Sequence, residues 1–277
     1  MTIDLRGLAA KQHDVVAAWQ LMGAGWTRRM IIHRVRTHGW RVVHPGVYVL
    51  SAAPLTRDQL WIAATLTSPN SFLSHASAGA CHGFRPCQAR FETIVRLGSG
   101  GPKRFGGVLV IRSKTLERDV IHRDGIPITT AARALVDLAG QLTETETRRC
   151  FREALRLKVT TRSELAETVA RHEGRAGTPL LSDLTARYGH LPYQRTRSDP
   201  EGRALELITD AGLPLPRVNT RIAGEEADLA WQDDRVIFEI DGPQYHRFPE
   251  EDARKQKRWE AAGWTVRRVS SAAVYRR

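Results

Sequence analysis

The sequence predicts a mixed α/β chain of several domains, and three observations support this. The chain has 277 residues, which is enough for two or three separate hydrophobic cores. Helical and strand-like hydrophobic patterns alternate along it, separated by turns rich in Gly and Pro. The run from His190 to Asp199, which contains a proline and arginines, is the best candidate linker. We therefore expect four segments: 1–53, 54–140, 141–190 and 196–277.

The charge balance favours a polyanionic partner. The formal net charge is +12, from 42 Lys and Arg against 30 Asp and Glu. Arginine suits bidentate contacts to phosphate and guanine, so double-stranded DNA is the expected partner. No stretch approaches the roughly 18 apolar residues of a membrane span, and the first residues lack the order of a signal peptide. We expect a cytoplasmic protein without a membrane partner, and a homodimer stays open.

The cysteines give no sign of a disulfide framework. Cys81, Cys87 and Cys150 are odd in number and form no C-x-x-C pair, so we expect reduced, partly buried thiols. A zinc site built from Cys81, His82 and Cys87 is the less favoured alternative. No small-molecule cofactor is expected.

The first 53 residues predict a winged helix-turn-helix domain. The pattern is helix, turn, basic helix and hairpin, with Thr27 as the cap of the third helix and His44-Pro45-Gly46 as the hairpin turn. Ile31, Ile32 and Val35 are expected on the inner side of the third helix. The predicted elements are helices over Leu5–His13, Val15–Met22 and Arg28–Thr37 and strands over 40–43 and 47–50.

The third helix is predicted to enter the major groove of DNA. Between Val15 and Phe91 the only acidic residue is Asp58, and a surface of one sign over this length is more than a solvated helix face needs. The alternative is a winged helix that contacts protein. The predicted DNA-binding residues of this domain are Arg28, Arg29, Arg34, Arg36 and Arg41.

This segment also matches a known family in three runs. They are Leu8–His13, then Thr27-Arg28-Arg29, then Gly46-Val47-Tyr48. In these runs the segment resembles the N-terminal domain of AbiEi-type antitoxins from type IV toxin–antitoxin systems. The resemblance implies a DNA-binding winged helix.

The middle of the chain offers fewer functional signals. Segment 54–140 is expected to be mixed α/β, and segment 141–190 helical, with a capping-box sequence at Thr161–Glu164. The Gly-rich loop from Gly98 to Arg104 contains Lys103, so a phosphate contact is conceivable. It lacks the order of a nucleotide-binding loop, and a plain hairpin connection between the strands on either side is favoured.

The stretch from Glu226 to His246 carries the strongest signal for chemistry. It reads as two strands joined by a polar turn, and pairing them brings Asp228 close to Glu239. Alternation places Glu239 and Asp241 on the same face. Crowded carboxylates repel each other, and a hard divalent ion such as Mg²⁺, with Mn²⁺ as a substitute, resolves this repulsion. His246 adds a group suited to acid or base catalysis.

The alternative is a half-buried strand whose acids lie on a solvated face. The acids on both strands and the Gly-Pro-x-x-His exit count against it. On the predicted helix at 250–262, Arg254 and Lys255 are candidate phosphate contacts, although a solvated basic face is equally compatible with the pattern. Glu201, at the start of a helix, is equally compatible with a role at the helix dipole.

Segment 196–275 resembles the PD-(D/E)XK nuclease superfamily, and within it the very-short-patch-repair (Vsr-like) endonucleases. The resemblance implies an αβββαβ core, a metal held by Asp228 and Glu239, and site roles for Glu201, Asp241 and His246. Asp241 stands where the superfamily has the lysine of its E-x-K signature. Within this branch the segment is most similar to an uncharacterised bacterial domain family, whose pattern it matches at Thr196, Arg197, Ser198, Glu201, 211–214, Pro216, Asn219, Asp228, Trp231, Glu239, Asp241, Gly242 and His246.

The expected function is therefore a Mg²⁺-dependent endodeoxyribonuclease that nicks DNA, at a mismatch, a lesion or a specific sequence. Asp228 and Glu239 are expected to hold the metal, with Asp241 as a third ligand or an orienting group and His246 as base or acid. The alternative is a non-catalytic DNA-binding regulator of the type IV antitoxin kind. An RNA nuclease is a third alternative.

Overall fold

The computed structural model describes residues 4–85, 87, 91–101, 103–242 and 249–276. The chain forms a mixed α/β protein with two compact units. The first unit comprises Met1–Thr143 and Thr168–Thr178, and the second comprises Glu144–Glu167 and Pro179–Arg277. Segment 141–190, which was expected to be a helical bridge, therefore contributes residues to both units. Within the described residues, no helix is both long and apolar enough to cross a membrane.

The first unit begins with three helices and a small antiparallel sheet of order β1-β3-β2. Leu21, Ile31 and Trp40 form its core, and Trp26 stacks on Trp40 with ring centroids 5.9 Å apart. The elements are α1 (Leu5–Ala10), β1 (Val15–Ala17), α2 (Ala18–Gly23), α3 (Arg28–Thr37), β2 (Arg41–His44) and β3 (Val47–Val49).

Two of the helix predictions in this region were wrong. The first helix ends at Ala10 rather than His13, because His13 and Asp14 both have positive φ. Residues 15–22 do not form one helix, since Val15–Ala17 is a strand that pairs with β3 and is fully buried. Two consecutive β-branched residues pack well on a pleated sheet, and this preference outweighs the helical spacing.

The rest of the first unit is built on a six-stranded sheet of order β6-β7-β5-β4-β9-β8. Ala64, Ile94, Val108 and Val110 form a core between this sheet and its first helix. The elements are α4 (Arg57–Thr65), β4 (Ser71–Leu73), α5 (His75–His82), β5 (Thr93–Leu97), β6 (Arg104–Phe105), β7 (Val108–Ser113), β8 (Val120–Arg123), β9 (Ile126–Thr129) and α6 (Ala131–Ala139).

The connection around the Gly-rich loop is not the predicted plain hairpin. β5 and β7 run parallel, in a register that pairs Arg96 with Arg112. Parallel neighbours need a connection that reverses the chain twice, and the short strand β6 supplies it by pairing antiparallel with β7. The loop at Gly98–Gly101 therefore leads to the sheet edge, and the alternating pattern alone does not distinguish this path from a hairpin.

A buried ion network holds Thr168–Thr178 in the first unit. The guanidinium of Arg133, whose side chain is 1% exposed, donates to Asp119 and Asp137 at 2.9 Å each. Asp119 also accepts from His172 at 2.7 Å, and Asp137 from Arg175 at 2.6 Å. Because breaking such a pair leaves a buried charge, this network fixes which segments belong to the unit.

The second unit is built on a four-stranded sheet of order β10-β11-β12-β13, in which only the last pair is parallel. Trp259, which is fully buried, packs on this sheet with Ala230, Ile237 and Val266. The elements are α7 (Glu144–Arg156), α8 (Arg162–Arg171), α9 (Thr178–Tyr188), α10 (Asp199–Asp210), β10 (Arg217–Ile222), β11 (Glu225–Trp231), β12 (Val236–Asp241), α11 (Pro249–Ala261) and β13 (Thr265–Ser270), of which residues 168–171 of α8 and Thr178 of α9 belong to the first unit.

A second buried ion network anchors α10. Arg152 on α7 donates to Asp199 at 2.6 and 3.1 Å and to Glu206 at 3.1 and 3.2 Å. Tyr193 donates its hydroxyl to Glu206 at 3.1 Å, and Tyr275 donates to Asp199. Because Asp199 and Glu206 stand at the beginning and the middle of α10, Arg152 fixes the position of this helix in the second unit.

Candidate functional site

A row of polar side chains crosses the four-stranded sheet of the second unit. Asp228 lies opposite Glu239 on the antiparallel strands β11 and β12, and Glu239 pairs with Arg268 on β13. On β10, Val218 pairs with Leu229 and Thr220 pairs with Ala227. Asn219, which lies between them, is therefore opposite Asp228. Residues directly opposite each other on neighbouring strands share a face, so the sheet gathers these groups.

Two backbone amides on the paired strands donate hydrogen bonds to the carboxylates of Asp228 and Glu239. The amide of Asp228 donates to Oε1 of Glu239 at 3.0 Å, and the amide of Ile240 donates to Oδ2 of Asp228 at 2.8 Å. The predicted proximity of the two carboxylates is confirmed. Glu239 is only 4% exposed, so the alternative of acids on a solvated face was wrong for this residue.

Lys255 on α11 supplies the cation beside this pair. Its Nζ donates to Oε2 of Glu239 at 2.9 Å and lies 4.6 Å from the ring centroid of Trp259. Trp259 is one turn further along the helix and is anchored by a hydrogen bond from its indole to the Ile222 carbonyl. The buried tryptophan therefore turns Lys255 toward the carboxylates.

The environment of Asp228 disfavours its charge. Burial, and then the charge of Glu239, raise the pKa of Asp228 to about 7, with Glu201 adding to the rise. The amide of Ile240 and the charge of Lys255 act in the opposite direction without cancelling it. A protein without bound metal thus holds this carboxyl about half protonated at neutral pH.

The pKa of Asp228 predicts a pH dependence of stability. The folded protein binds this proton more tightly than the unfolded chain, so the contribution of Asp228 to stability falls as pH rises from about 4 to about 7 and is then constant. One pKa unit corresponds to about 1.4 kcal/mol, which sets an upper bound of about 4 kcal/mol for the whole change.

Thermal unfolding of Asp228→Asn in EDTA across this pH range is the measurement. Relative to the wild type, the variant should lack the fall in stability that Asp228 contributes between about pH 4 and pH 7, because Asn cannot titrate. Asp234→Asn, in the exposed turn of the same hairpin, is the control and should keep the slope. Equal slopes for wild type and Asp228→Asn would contradict the assignment.

Glu201 lies in the first turn of α10 and is buried. Its carboxylate accepts from the amide of Arg197 at 2.9 Å, from the hydroxyl of Ser198 at 2.7 Å and from Nδ2 of Asn219 at 2.7 Å. It therefore serves as a capping group and also acts on Asp228 through its charge. Oδ1 of Asn219 is buried and has no hydrogen-bond partner within the described residues.

Asp241 occupies a different position from Asp228 and Glu239. Its two carboxylate oxygens accept from Arg268 at 2.6 and 3.1 Å, which is a bidentate pair. Both oxygens are thus engaged by a guanidinium. This pairing is compatible with the orienting role predicted for Asp241, and both of its predicted roles stay predictions.

Two further residues, Arg254 and His246, were predicted for this site. Arg254 is exposed and lines a cleft of about 260 Å³. His246 lies outside the described residues, so its predicted role stays a prediction. The cleft is also lined by Glu225, Glu251, Asp252, Lys255 and Arg258.

The donor set fits a magnesium ion held largely by water. No group of three or more His, Cys, Asp or Glu side chains capable of holding a metal occurs among the residues the structure describes. Mg²⁺ commonly uses one or two carboxylates and keeps several waters, which Asp228 and Glu239 satisfy. Burial first, and then the charge of Glu239, raise the pKa of Asp228, and the charge of Lys255 does not offset them.

The arginines predicted to bind DNA fall into two groups in the first unit. Arg28, Arg29 and Arg36 are exposed, and none of them has an ion pair with any described residue. Arg34 instead stacks on Trp26, with its Cζ 5.8 Å from the ring centroid, and Arg41 donates to the carbonyls of Ser51 and Ala53. These two arginines have structural contacts that the other three lack.

The exposed face of α3 also carries apolar side chains. Ile32 is 42% exposed, so its predicted inner position was wrong, whereas Ile31 is buried as predicted.

The hairpin turn is held against the six-stranded sheet, since Nδ1 of His44 is 2.7 Å from the Gly106 carbonyl. The turn between β2 and β3 is thereby fixed to the rest of the unit.

Asn219 and Arg268 are site-facing residues that the predictions did not include in the site. The alternating pattern of β13 could have indicated Arg268. Residues two positions apart on a strand share a face, and Arg268 follows the apolar, core-facing Val266 by two positions. Asn219 has a φ of 46°, a conformation that Asn tolerates better than most residues, and nothing in its sequence context indicates the partner Glu201.

Comparison with known proteins gives relatives without a described activity. No family model matches the chain. It is similar to the uncharacterized proteins Rv2248 and MT2308 of two Mycobacterium tuberculosis strains, each 32% identical over 148 residues, covering 50% of this chain and 52% of the relative. The chain thus spans about half the length of the curated relatives it matches. The crystal structure of the Rv2827c protein from M. tuberculosis aligns with a TM-score of 0.41 and 16% identity over 77% of this chain and 81% of that one.

Proposed function

We propose that this chain is a metal-dependent endonuclease acting on DNA. The observation that carries the proposal is the cluster of Asp228, Glu239 and Lys255, in which two carboxylates on paired strands meet one lysine. A pair of acids with a nearby cation is the set of groups that metal-assisted phosphodiester hydrolysis requires.

The order of elements supports the same proposal. The second unit runs α10, β10, β11, β12, α11, β13, which is the αβββαβ order of the PD-(D/E)XK core that the sequence resembles. In the first unit, three helices and the sheet order β1-β3-β2 support a winged helix-turn-helix with α3 as the recognition helix. The proposal therefore includes a Vsr-like catalytic domain in the second unit and a winged helix in the first unit.

In the proposed mechanism Asp228 and Glu239 would hold Mg²⁺ or Mn²⁺. When bound, the metal ion lowers the pKa of a water and polarises a phosphoryl oxygen. Asp228 gives up its proton to bind a cation, so its raised pKa makes the affinity for the cation increase as pH rises toward neutral. Glu201 holds Asn219 and adds negative charge behind Asp228.

Lys255 takes the place of the missing E-x-K lysine in this proposal. Its ammonium reaches Glu239 from α11, whereas a lysine at position 241 would reach it from β12. Asp241 is paired with Arg268 and thereby presents no uncompensated negative charge to a phosphate. Lys255 is thus the group that stabilises charge developing on the phosphoryl oxygens.

A second candidate, a non-catalytic DNA-binding regulator, is favoured by a separate observation. All four predicted acids already have internal partners: Glu201 accepts three hydrogen bonds, Asp228 accepts from the Ile240 amide, Glu239 accepts from Lys255 and the Asp228 amide, and Asp241 accepts from Arg268. In that case the site serves stability, and the protein binds DNA through its basic surfaces alone.

Incubation of the purified protein with supercoiled plasmid distinguishes these candidates. We expect nicked or linear product with Mg²⁺ or Mn²⁺ and none with EDTA. A shifted but uncut plasmid in every metal would contradict the nuclease and favour the regulator. Cleavage of RNA but not of DNA under the same conditions would reassign the substrate.

Replacing the exposed arginines of α3 should weaken DNA binding. We expect Arg28→Ala with Arg29→Ala to lower affinity for duplex DNA roughly 10-fold and to reduce the salt slope of log Kd by about 1 to 2, because phosphate contacts release counterions. Fluorescence anisotropy over a range of KCl concentrations measures both quantities.

The charge control for this prediction is Arg195→Ala, which removes one arginine from a helical segment, whereas the α3 variant removes two. Arg195 is exposed but belongs to the second unit, so it tests for a general loss of charge. If the α3 double variant binds as the wild type does, the DNA-binding surface lies elsewhere.

A further inference from the structure

Two arginines lie side by side on the six-stranded sheet of the first unit. Arg96 on β5 and Arg112 on β7 are direct partners in the parallel register. Neighbouring strands are about 4.8 Å apart, so two like charges are held next to each other by the backbone itself. Like charges in this arrangement destabilise a sheet unless something of opposite charge lies against them.

No acid compensates this pair within the described residues. Neither guanidinium takes part in an ion pair there, and Nε of Arg112 is buried without a hydrogen-bond partner. Burial and the charge of Arg112 lower the pKa of Arg96, a direction opposite to that of an arginine with an acidic partner. An unpartnered donor of this kind is costly unless an acceptor from outside satisfies it.

The Gly-rich loop is shaped around the same pair. Gly101 has a φ of 81°, and a Cβ at this position would lie 2.5 Å from Nη2 of Arg112. The positive φ of Gly101 is a conformation that favours glycine, and the absence of a side chain leaves room for the guanidinium beside the loop backbone. The strand that follows leads to Gly106, whose carbonyl contacts His44 in the hairpin turn of the N-terminal region.

We infer that Arg96 and Arg112 form a phosphate-binding surface that contacts the backbone of double-stranded DNA. This inference rests on the proposed DNA binding and adds a second contact surface to α3. Two guanidinium groups at strand spacing can each donate to one phosphate through paired N–H groups. Such contacts fix the position of a duplex without reading its sequence. The contact at Gly106 connects this surface to the proposed winged helix within one unit.

The test measures binding of a fluorescein-labelled random-sequence duplex in EDTA, using Asp228→Ala as the background so that no cleavage occurs. We expect Arg96→Ala and Arg112→Ala each to weaken binding about 3- to 10-fold. The double variant should also reduce the salt slope by about 1 to 2. Arg96→Lys with Arg112→Lys keeps both charges and should retain most of the slope, which separates lost charge from misfolding.

The control is Arg118→Ala, which removes an exposed arginine of the same unit outside the strand pair and should bind as the background does. Unchanged affinity and slope in the double alanine variant, with folding intact by circular dichroism, would overturn the inference. If the α3 variant still loses affinity in that experiment, the proposed function stands and only this surface fails. Saturable binding of inorganic phosphate that is lost in the double variant, with duplex affinity unchanged, would overturn DNA as the partner.

Discussion

Asp228→Asn and Glu239→Gln should each lower the rate of metal-dependent plasmid nicking at least about 1,000-fold. Both changes keep the shape of the side chain and remove the charge that a divalent cation needs. A loss of this size corresponds to about 4 kcal/mol of transition-state stabilisation. Asp228 is the sharper test, because Glu239→Gln also changes the contacts of this carboxylate with the Asp228 amide and Lys255.

Duplex binding by these two variants should be unchanged or tighter than that of the wild type. Carboxylates facing a phosphate repel it, so neutralising them removes a repulsion. Asp234→Asn, in the exposed turn between β11 and β12, is the matched control and should cleave as the wild type does. Nicking that persists in both Asp228→Asn and Glu239→Gln would exclude this site as the source of the activity.

The second large effect is expected on stability, at Arg152. Replacing it by Met should lower the free energy of unfolding of the second unit by about 3–5 kcal/mol, because Asp199 and Glu206 would be left buried without their cation. The Arg152 side chain is 4% exposed, so water cannot replace the lost guanidinium without rearrangement. Chemical denaturation of the full chain, followed by tryptophan fluorescence, measures the change.

Arg149→Met is the matched control on the same helix. Arg149 lies 3.7 Å from the same Asp199, but its side chain is 44% exposed. An exposed pair contributes at most about 1 kcal/mol, so this variant should unfold close to the wild type. Similar losses for Arg149→Met and Arg152→Met would show that burial is not what makes the Arg152 network important.

These two predictions address different parts of one proposal. Arg152 holds α10, and α10 carries Glu201, so its loss should also disturb the neighbourhood of Asn219 and Asp228. The carboxylates at 228 and 239 should instead affect cleavage far more than folding. If stability and cleavage separate in this way, the result would support a site in which α10 positions the neighbouring side chains. The carboxylates on the paired strands would then perform the chemistry.

The sequence alone determined most elements of the second unit and the pairing of Asp228 with Glu239. Alternating patterns on two adjacent segments with a short polar turn leave one favoured register, because a shift of one residue would exchange the faces of every side chain. Thr27 as the cap of α3 was likewise readable, since capping is a local interaction.

Only the tertiary structure decided what each charged side chain contacts. Lys255 reaching Glu239, Arg268 neutralising Asp241, and Arg41 contacting backbone carbonyls all join residues more than nine positions apart. The parallel pairing of β5 with β7, which creates the Arg96–Arg112 pair, also depends on the sheet order and not on either strand. Local patterns report on neighbours in sequence, whereas burial and charge compensation depend on contacts made after the chain has folded.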